Sequence, residues 1–494
     1  MRKSMRSRMG IGAAALVGLC LTALSAAAQQ ERNVTTSKGN GDTVKVTVSG
    51  NVVLDYVYRA REMTAYTDSF SGAGVGARSE NTFEGYVAAR LDVDLSDKVS
   101  AQIEFGTKRL DTGTINNWGN AGANAIQLRE AAVVLNDFFL SDLKAHIGIT
   151  NWSFDVRGKG SAFAFDPRHS QTLNRNLAAL GGIATIESGD TRLGLASAVE
   201  ELESVGAVFT YTRNNLTFDL VLLPAAIEGG PISTATGDEA LYAIDGWYKI
   251  DDKGSKAGLI IAHSRLPGAL GGESHAAITT IGGGVSLKGL GEGVELYIEG
   301  YFQSGKAGED ATGDDIRANG RAVQLGGEYH LQSENQIWFG ANFTWMSGDD
   351  DTDPTDDQAG RFVSYENIHD LMILEDQNFG FDWDSNLQMI KLMAGMSFSV
   401  AGGKNNLEVG LMGGFGRTAK EVGFSVGTET SRKLGNEIDA KVRWHLNKQA
   451  SISFGLAYLF SSSILEESMI ADGFPSSDAE ETTYLYTLGV DLRF

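Results

Sequence analysis

The sequence has little of the chemistry on which disulfide-stabilised proteins and many enzymes depend. Its single cysteine, Cys20, lies in an apolar amino-terminal stretch, so the chain cannot form an internal disulfide. There is no H-E-x-x-H motif, and no phosphate-binding glycine loop precedes a helical pattern. We predict from these absences that the protein is not an enzyme and holds no cofactor.

Positive charge is also scarce. The chain carries 41 lysines and arginines against 63 aspartates and glutamates, a formal net charge of −22 at pH 7. Such a chain repels phosphate backbones, so we predict no nucleic-acid partner.

Long apolar runs are confined to the amino terminus. Residues 1–28 have a basic start, an apolar stretch from Ile11 to Leu24 and a small-residue site ending at Ala28, which is the order found in secretory signal peptides. No later segment is apolar for long enough to cross a membrane as a helix. We predict a signal peptide at 1–28, a polar periplasmic leader at 29–42 and one β-domain at 43–494.

The rest of the chain alternates apolar and polar residues with a period of two. Sixty-one glycines and six prolines fit many short strands that curve and approach closely. The alternation is clearest in the last strand, where the residues on one parity are Tyr484, Tyr486, Leu488, Val490, Leu492 and Phe494. A terminal strand of this kind, finishing on phenylalanine, resembles the membrane-insertion signal of bacterial outer-membrane β-barrels.

Tight turns and long connections follow one another along the chain. Tight turns are predicted at 96–98, 188–190, 213–215, 251–254, 332–335, 401–404 and 447–449. The pattern predicts an all-β fold, a transmembrane antiparallel up-and-down barrel of about 18 strands, with a range of 16–20. The least regular hairpin, at 183–200, decides between twenty strands and eighteen. A soluble β-protein is the alternative.

Aromatic residues near strand ends, among them Tyr58, Trp338 and Trp444, are typical of the girdles at a membrane surface.

Charged residues on the polar faces indicate a wet lumen, because an apolar core would not bury them unpaired. In the strand around 434–446, Leu434, Ile438, Val442, Trp444 and Leu446 share the apolar parity. The predicted lumen ladder consists of Arg90, Glu295, Glu299, Glu328, Glu437, Asp439, Lys441, Arg443 and His445.

The connection at 152–182 is the candidate constriction, because the third long connection of general porins folds into the barrel. Its charged residues are Arg157, Lys159, Asp166, Arg168, His169 and Arg175. Cations at a narrow point favour anionic solutes. The alternative is a surface loop with scattered charges.

An acidic run at 349–357 is a weak candidate for a metal site. Asp349, Asp351 and Asp353 have the spacing of the first ligands of an EF-hand, but Pro354 stands where that loop needs glycine. A loosely bound divalent cation, bridging to lipopolysaccharide, and a solvated loop both remain open.

The segment from Gly326 to Phe398 resembles the later hairpins of the alginate-export-type porin family. Trp338 to Trp345 forms a strand that leads into Ser347-Gly-Asp349, a long loop with His369 follows, and Ser385-Asn-Leu387 opens the next strand. The resemblance implies an outer-membrane passive diffusion channel of about eighteen strands.

We therefore predict a porin-like channel for small hydrophilic solutes, anionic or saccharide, in the bacterial outer membrane. Its expected partners are outer-membrane lipid, lipopolysaccharide, the barrel-assembly machinery and the solutes. Alternatives are a polysaccharide or alginate-type export channel, a barrel enzyme, and a structural or adhesin surface protein. The sequence leaves the oligomeric state open.

Overall fold

The structure is a computed structural model of the 494-residue chain. It describes residues 32–37, 43–60, 79–107, 126–149, 152, 154, 156, 203–227, 240–267, 275–309, 314–348, 358–360, 362, 370–375, 386–400, 403–423, 430–460, 463 and 482–493. The predicted signal peptide and the hairpin at 183–200 lie outside these residues. Within the described part of the chain, no helix has the length and apolar character needed to cross a membrane.

Twenty-one strands are described, all joined in one sheet. They are β1 (Arg32–Ser37), β2 (Thr43–Ala60), β3 (Ser79–Ser96), β4 (Val99–Thr107), β5 (Ile126–Leu135), β6 (Leu143–Ile149), β7 (Glu203–Arg213), β8 (Leu216–Ile227), β9 (Ala240–Lys249), β10 (Lys256–Pro267), β11 (His275–Leu290), β12 (Val294–Glu309), β13 (Asp315–Ala318), β14 (Arg321–His330), β15 (Trp338–Met346), β16 (Gln358–Ala359), β17 (Leu387–Val400), β18 (Gly403–Gly423), β19 (Thr430–His445), β20 (Ala450–Phe460) and β21 (Thr483–Arg493).

Eighteen of these strands form a closed antiparallel barrel, which confirms the predicted fold. Each barrel strand pairs with the next, and β21 pairs back onto β2, with Asn51 opposite Arg493 and Ala60 opposite Tyr484. Closure leaves no exposed sheet edge, so every barrel strand has hydrogen-bonding partners on both sides. β6 pairs directly with β7, so the ring closes without a further hairpin between them.

Three short strands stand outside the ring. β1 lies within the predicted polar leader and pairs with the first residues of β2. β13 pairs with β12 and, in parallel, with β16.

The connections differ in length at the two ends of the barrel. Short turns join β3 to β4, β7 to β8, β9 to β10, β14 to β15 and β19 to β20, at the positions predicted for them. Two further short turns, at 136–142 and 291–293, were not predicted. We call this end the short-turn end; the long connections, including 150–202 and 347–386, leave from the other.

The outer surface of the barrel is apolar. Leu259, Ile261, Ile281, Leu411 and Ile438 all point outward and are exposed, and Leu259 retains 75% of its accessible surface. A water-soluble protein would bury such side chains, whereas lipid solvates them. Tyr58 and Trp444 lie on this surface, and Tyr58 packs against Tyr484 and Tyr486 at ring-centroid distances of 6.3 and 5.9 Å.

Two side chains expected on the outer surface lie inside instead: Leu434, expected there from its parity, and Trp338, expected there as a girdle aromatic. Leu434 is 2% exposed, because β19 contains a bulge at which Gly416 pairs with Gly435 and Arg417 pairs with Lys433. Gly435 has a φ of 125°, which glycine adopts more readily than other residues. Trp338 also faces the interior, since it stands opposite the inward-facing His330.

Candidate functional site

The interior of the barrel is lined by polar and charged side chains. The inward positions of neighbouring strands lie opposite one another in register: Glu295 faces Glu328, Glu299 faces Gln324, and Asp219 faces Asp245. Several of these groups are almost completely buried, which reverses the usual arrangement of a soluble protein. In the described part of the chain, these interior groups are the main candidates for specific chemistry.

The structure places the predicted ladder residues on inward faces of the barrel strands. They are Arg90 on β3, Glu295 and Glu299 on β12, Glu328 on β14, and Glu437, Asp439, Lys441, Arg443 and His445 on β19. They divide into two tiers. Glu437 and Asp439 are buried near the middle of β19, whereas Arg443 and His445 are more accessible near the short-turn end.

Arg90 belongs to a compensated ionic cluster on one wall. Its guanidinium donates to Glu130 at 2.9 Å and to Asp92 at 3.1 Å, and Glu104 lies at 3.8 Å. His146 approaches Glu130 at 3.6 Å. Glu130 was not predicted from the sequence, because the register of β5 against β4 shifts between Glu104 and Phe105 and interrupts the alternation of β5.

A second wall holds a piece of a long connection inside the barrel. We call residues 370–375 the inner segment. Consecutive backbone N–H groups of the inner segment donate to carboxylates of β19: Ile373 and Leu374 donate to the two oxygens of Glu437, each at 2.7 Å, and Met372 donates to Asp439 at 2.9 Å. The backbone of a loop is thus satisfied by wall carboxylates where water is excluded.

At the start of the inner segment, the N–H groups donate to a carboxylate of the segment itself. Asp370 and Leu371 donate their N–H groups to Glu375 at 3.0 and 2.9 Å. Lys391 forms ion pairs with Glu375 and Asp370 at 2.5 and 3.0 Å, and Lys441 donates to the Asp370 carbonyl at 2.9 Å. All five N–H groups from Asp370 to Leu374 therefore donate to carboxylates.

The environment of Glu375 opposes its ionisation in part. Burial raises the pKa of the Glu375 carboxyl, and the Asp370 carboxylate adds to the rise. The Lys391 ammonium and the Leu371 N–H act in the opposite direction, because they stabilise the charged form.

Glycines in the wall make room for the inner segment. A Cβ atom on Gly414 would lie 2.5 Å from Leu371, and one on Gly455 would lie 2.6 Å from Met372. Leu371, Ile373 and Leu374 are fully buried in a cluster inside the barrel. The inner segment thus combines apolar packing with five charge-assisted hydrogen bonds.

The connection after β6 also enters the barrel. Trp152 donates its indole N–H to Asp245 at 3.0 Å, and Phe154 stacks on Trp247 with ring centroids 4.4 Å apart. Trp152, Phe154 and Val156 are all buried in the same internal cluster as the inner segment. We call these three residues the entry segment.

The remaining predicted site residues lie outside the described part of the chain. These are the constriction candidates Arg157, Lys159, Asp166, Arg168, His169 and Arg175, the acidic residues Asp349, Asp351 and Asp353, and the terminal Phe494. The inner segment itself was not predicted, although Leu371-Met-Ile-Leu374, flanked by Asp370 and Glu375, is an unusual apolar run for a long connection.

Comparisons with known proteins connect the chain to others through its fold. No protein-family model matches the sequence, and no curated protein matches it. Many solved structures resemble it, among them three crystal structures with a TM-score of 0.50 each. Pseudomonas aeruginosa OccK9 (OpdG) is 13% identical over 91% of this chain and 98% of that one. P. aeruginosa OpdK, solved with vanillate, is 11% identical over 90% and 98%. Acinetobacter baumannii OccAB1 is 11% identical over 91% and 96%.

At these identities the likeness shows the fold. The chain has the 18-stranded barrel of outer-membrane porins. The similar structures belong to the OccK/Opd group and not to the alginate-export-type family that one segment of the sequence resembles.

Proposed function

We propose that the protein is an outer-membrane channel through which small hydrophilic solutes diffuse passively. One observation carries the proposal: a closed barrel with an apolar exterior has a charged and polar interior. A barrel that only anchored a surface domain would have no need for buried charges, whose desolvation is costly. A polar lumen offers solutes the hydrogen bonds that they lose on leaving water.

Its location and partners follow from the same reasoning. We propose insertion into the bacterial outer membrane after removal of residues 1–28, with lipid, lipopolysaccharide and the barrel-assembly machinery as partners. The outward-facing Val490 packs with Tyr56, Leu488 and Leu492 where the barrel closes, which supports a role for the last strand in insertion.

We propose that the solutes are anions or saccharides. Near the short-turn end, Arg443 stands opposite Glu408 in register, so the described wall offers both donors and acceptors. Such a mixture suits hydroxyl-rich solutes, because a saccharide needs both kinds of partner. Support for an anion comes from the basic residues predicted at 157–175 and from the vanillate-bound OpdK structure.

Export of an acidic polysaccharide is the narrower alternative, which rests on the resemblance of Gly326–Phe398. In the structure, this stretch contains the second half of β14, all of β15 and β16, most of β17, and the inner segment. Its described interior charges are Glu328, Asp370 and Glu375 of one sign and Lys391 of the other. A mixed wall supports passive diffusion more than selection of a polyanion.

We also propose that the protein is not an enzyme. One serine, Ser425, lies in a G-x-S-x-G spacing from Gly423 to Gly427. A nucleophile elbow needs a strand that runs into a helix, whereas this stretch connects β18 to its antiparallel neighbour β19. The divalent-cation site suggested for 349–357 remains a prediction.

Single-channel conductance of the detergent-purified protein in planar bilayers tests the channel. We expect discrete conductance steps, with a reversal potential in a salt gradient that gives the ion preference. Anion preference would implicate the basic residues at 157–175. Cation preference would implicate the acidic residues of the lumen ladder. Folded, heat-modifiable protein that never conducts would contradict the proposal.

A further inference from the structure

A group of metal-ligating side chains lies inside the barrel at the short-turn end. Glu295 is opposite Glu328 on the adjacent strand, and His330 is two residues beyond Glu328 on the same inward face. One ligand atom from each of the three lies within 4.8 Å of the other two. His330 Nε2 is 3.1 Å from Glu328 Oε2. We call these three residues the Glu-Glu-His cluster.

Neighbouring residues support this arrangement. The His330 ring stacks on Trp338 with centroids 6.4 Å apart, which restricts its rotation. Gly340 stands opposite Glu328, and a Cβ at that position would lie 3.3 Å from Glu328 Cγ. The absence of a side chain at Gly340 thus leaves space for the Glu328 carboxylate beside the His330 imidazole.

The chemistry of the set points to a particular class of ion. Two carboxylate oxygens and one imidazole nitrogen suit Zn²⁺ and its neighbours, whereas Ca²⁺ and Mg²⁺ prefer oxygen ligands alone. We propose that the Glu-Glu-His cluster binds a divalent transition-metal ion, with Zn²⁺ held more tightly than Mn²⁺ or Co²⁺. The site is half-buried and faces the lumen, which leaves a coordination position for water or a passing solute.

Another histidine–carboxylate pair at the same end of the barrel provides a matched control. His445 Nε2 lies 3.0 Å from Glu408 Oε1, a geometry close to that of His330 and Glu328. Glu408, however, stands opposite Arg443 and not opposite a second carboxylate. In the described residues, therefore, the two pairs differ in the third ligand, and only the Glu-Glu-His cluster has three.

Isothermal titration of the chelator-treated, full-length protein in detergent with ZnCl₂ tests the proposal directly. We expect one zinc ion per chain. His330→Asn and Glu328→Gln should each weaken binding by about 100-fold or more, since loss of an outer-shell partner alone costs 10–100-fold. His445→Asn should leave the affinity unchanged. Binding in detergent does not require conductance, so the result is independent of channel activity.

Titration with Co²⁺ gives a second readout, because its visible absorption reports nitrogen and oxygen ligands. Glu295→Gln provides a further variant if His330→Asn does not fold, and it should also weaken binding. The proposal is overturned if the wild-type protein binds no zinc. It is equally overturned if His330→Asn and His445→Asn weaken binding to the same extent, since the histidine pairs would then be equivalent surface ligands.

Discussion

The two segments that enter the barrel are held by different means. In the entry segment, Trp152 donates its indole N–H to Asp245, and Phe154 stacks on Trp247. The inner segment has all of its first five backbone N–H groups on carboxylates, and Lys391 neutralises part of that charge.

This difference shows how a barrel can keep loop backbone in its interior. Backbone donors away from water must be satisfied, and a wall of β-strands has no free backbone groups to offer. Carboxylates on the wall take that role for three N–H groups of the inner segment, and its own Glu375 takes it for two. In the entry segment, the described contacts are made by large aromatic side chains, which bury much apolar area. We infer from these described contacts that the inner segment is held more firmly than the entry segment.

The largest effect is expected from Glu437→Gln. Both Glu437 oxygens accept a backbone N–H. In Glu437→Gln the side-chain NH₂ group would therefore face one of these N–H donors in either orientation, and that donor would lose its acceptor. The change should cost about 3 kcal/mol of unfolding free energy, release the inner segment and increase single-channel conductance. Glu408→Gln, near the short-turn end, should do neither. Unchanged conductance in Glu437→Gln would show that the inner segment does not narrow the channel.

A smaller effect is expected from Gly414→Ala, which tests packing without altering charge. The new methyl would meet the fully buried Leu371 at 2.5 Å, and overpacking of this kind costs about 1–3 kcal/mol. Gly410→Ala on the same strand is the control, because nothing lies within 4 Å of the added Cβ. Denaturant unfolding in detergent should separate the two variants; equal stability would mean that Leu371 does not occupy this space.

The smallest effect is expected from Trp152→Phe, which removes the indole donor and retains the aromatic bulk. The loss should be about 1 kcal/mol, with little change in conductance. Trp338→Phe, at a tryptophan of the short-turn end, serves as the comparison. If Trp152→Phe destabilised the protein as much as Glu437→Gln, the proposed contrast between the segments would be wrong.

The barrel could be predicted from the sequence because its signals are local. Period-two alternation in the last strand and turns such as 251–254 need no knowledge of distant residues. The sequence-based prediction failed where local geometry interrupted the period-two alternation of a strand or where a turn had an unusual composition. Gly435 turned Leu434 inward, and the turn at 136–142 carries Phe139 and Leu140, which are exposed apolar residues atypical of turns.

The inner segment could not be predicted, because its partners are distant in sequence. The acceptors Glu437 and Asp439 lie more than sixty residues beyond the amides that they bind. Parity assigned both carboxylates to the interior, but the loop that they hold is specified only by tertiary contact. The constriction at 152–182 was predicted only from its position in the chain. The described start of this connection, at Trp152, Phe154 and Val156, lies inside the barrel.

Cysteine labelling at two adjacent positions of β18 tests the central claim most directly. Gly410 faces the interior with open space around it, and Leu411 is 56% exposed on the outer surface. Since Cys20 falls in the predicted signal peptide, each mature variant would carry one thiol. In bilayers, a charged water-soluble thiol reagent should modify Gly410→Cys and reduce its conductance, while Leu411→Cys should react only with a lipophilic reagent. Equal labelling by the charged reagent, or labelling at Gly410→Cys without any change in conductance, would contradict a water-filled channel inside this barrel.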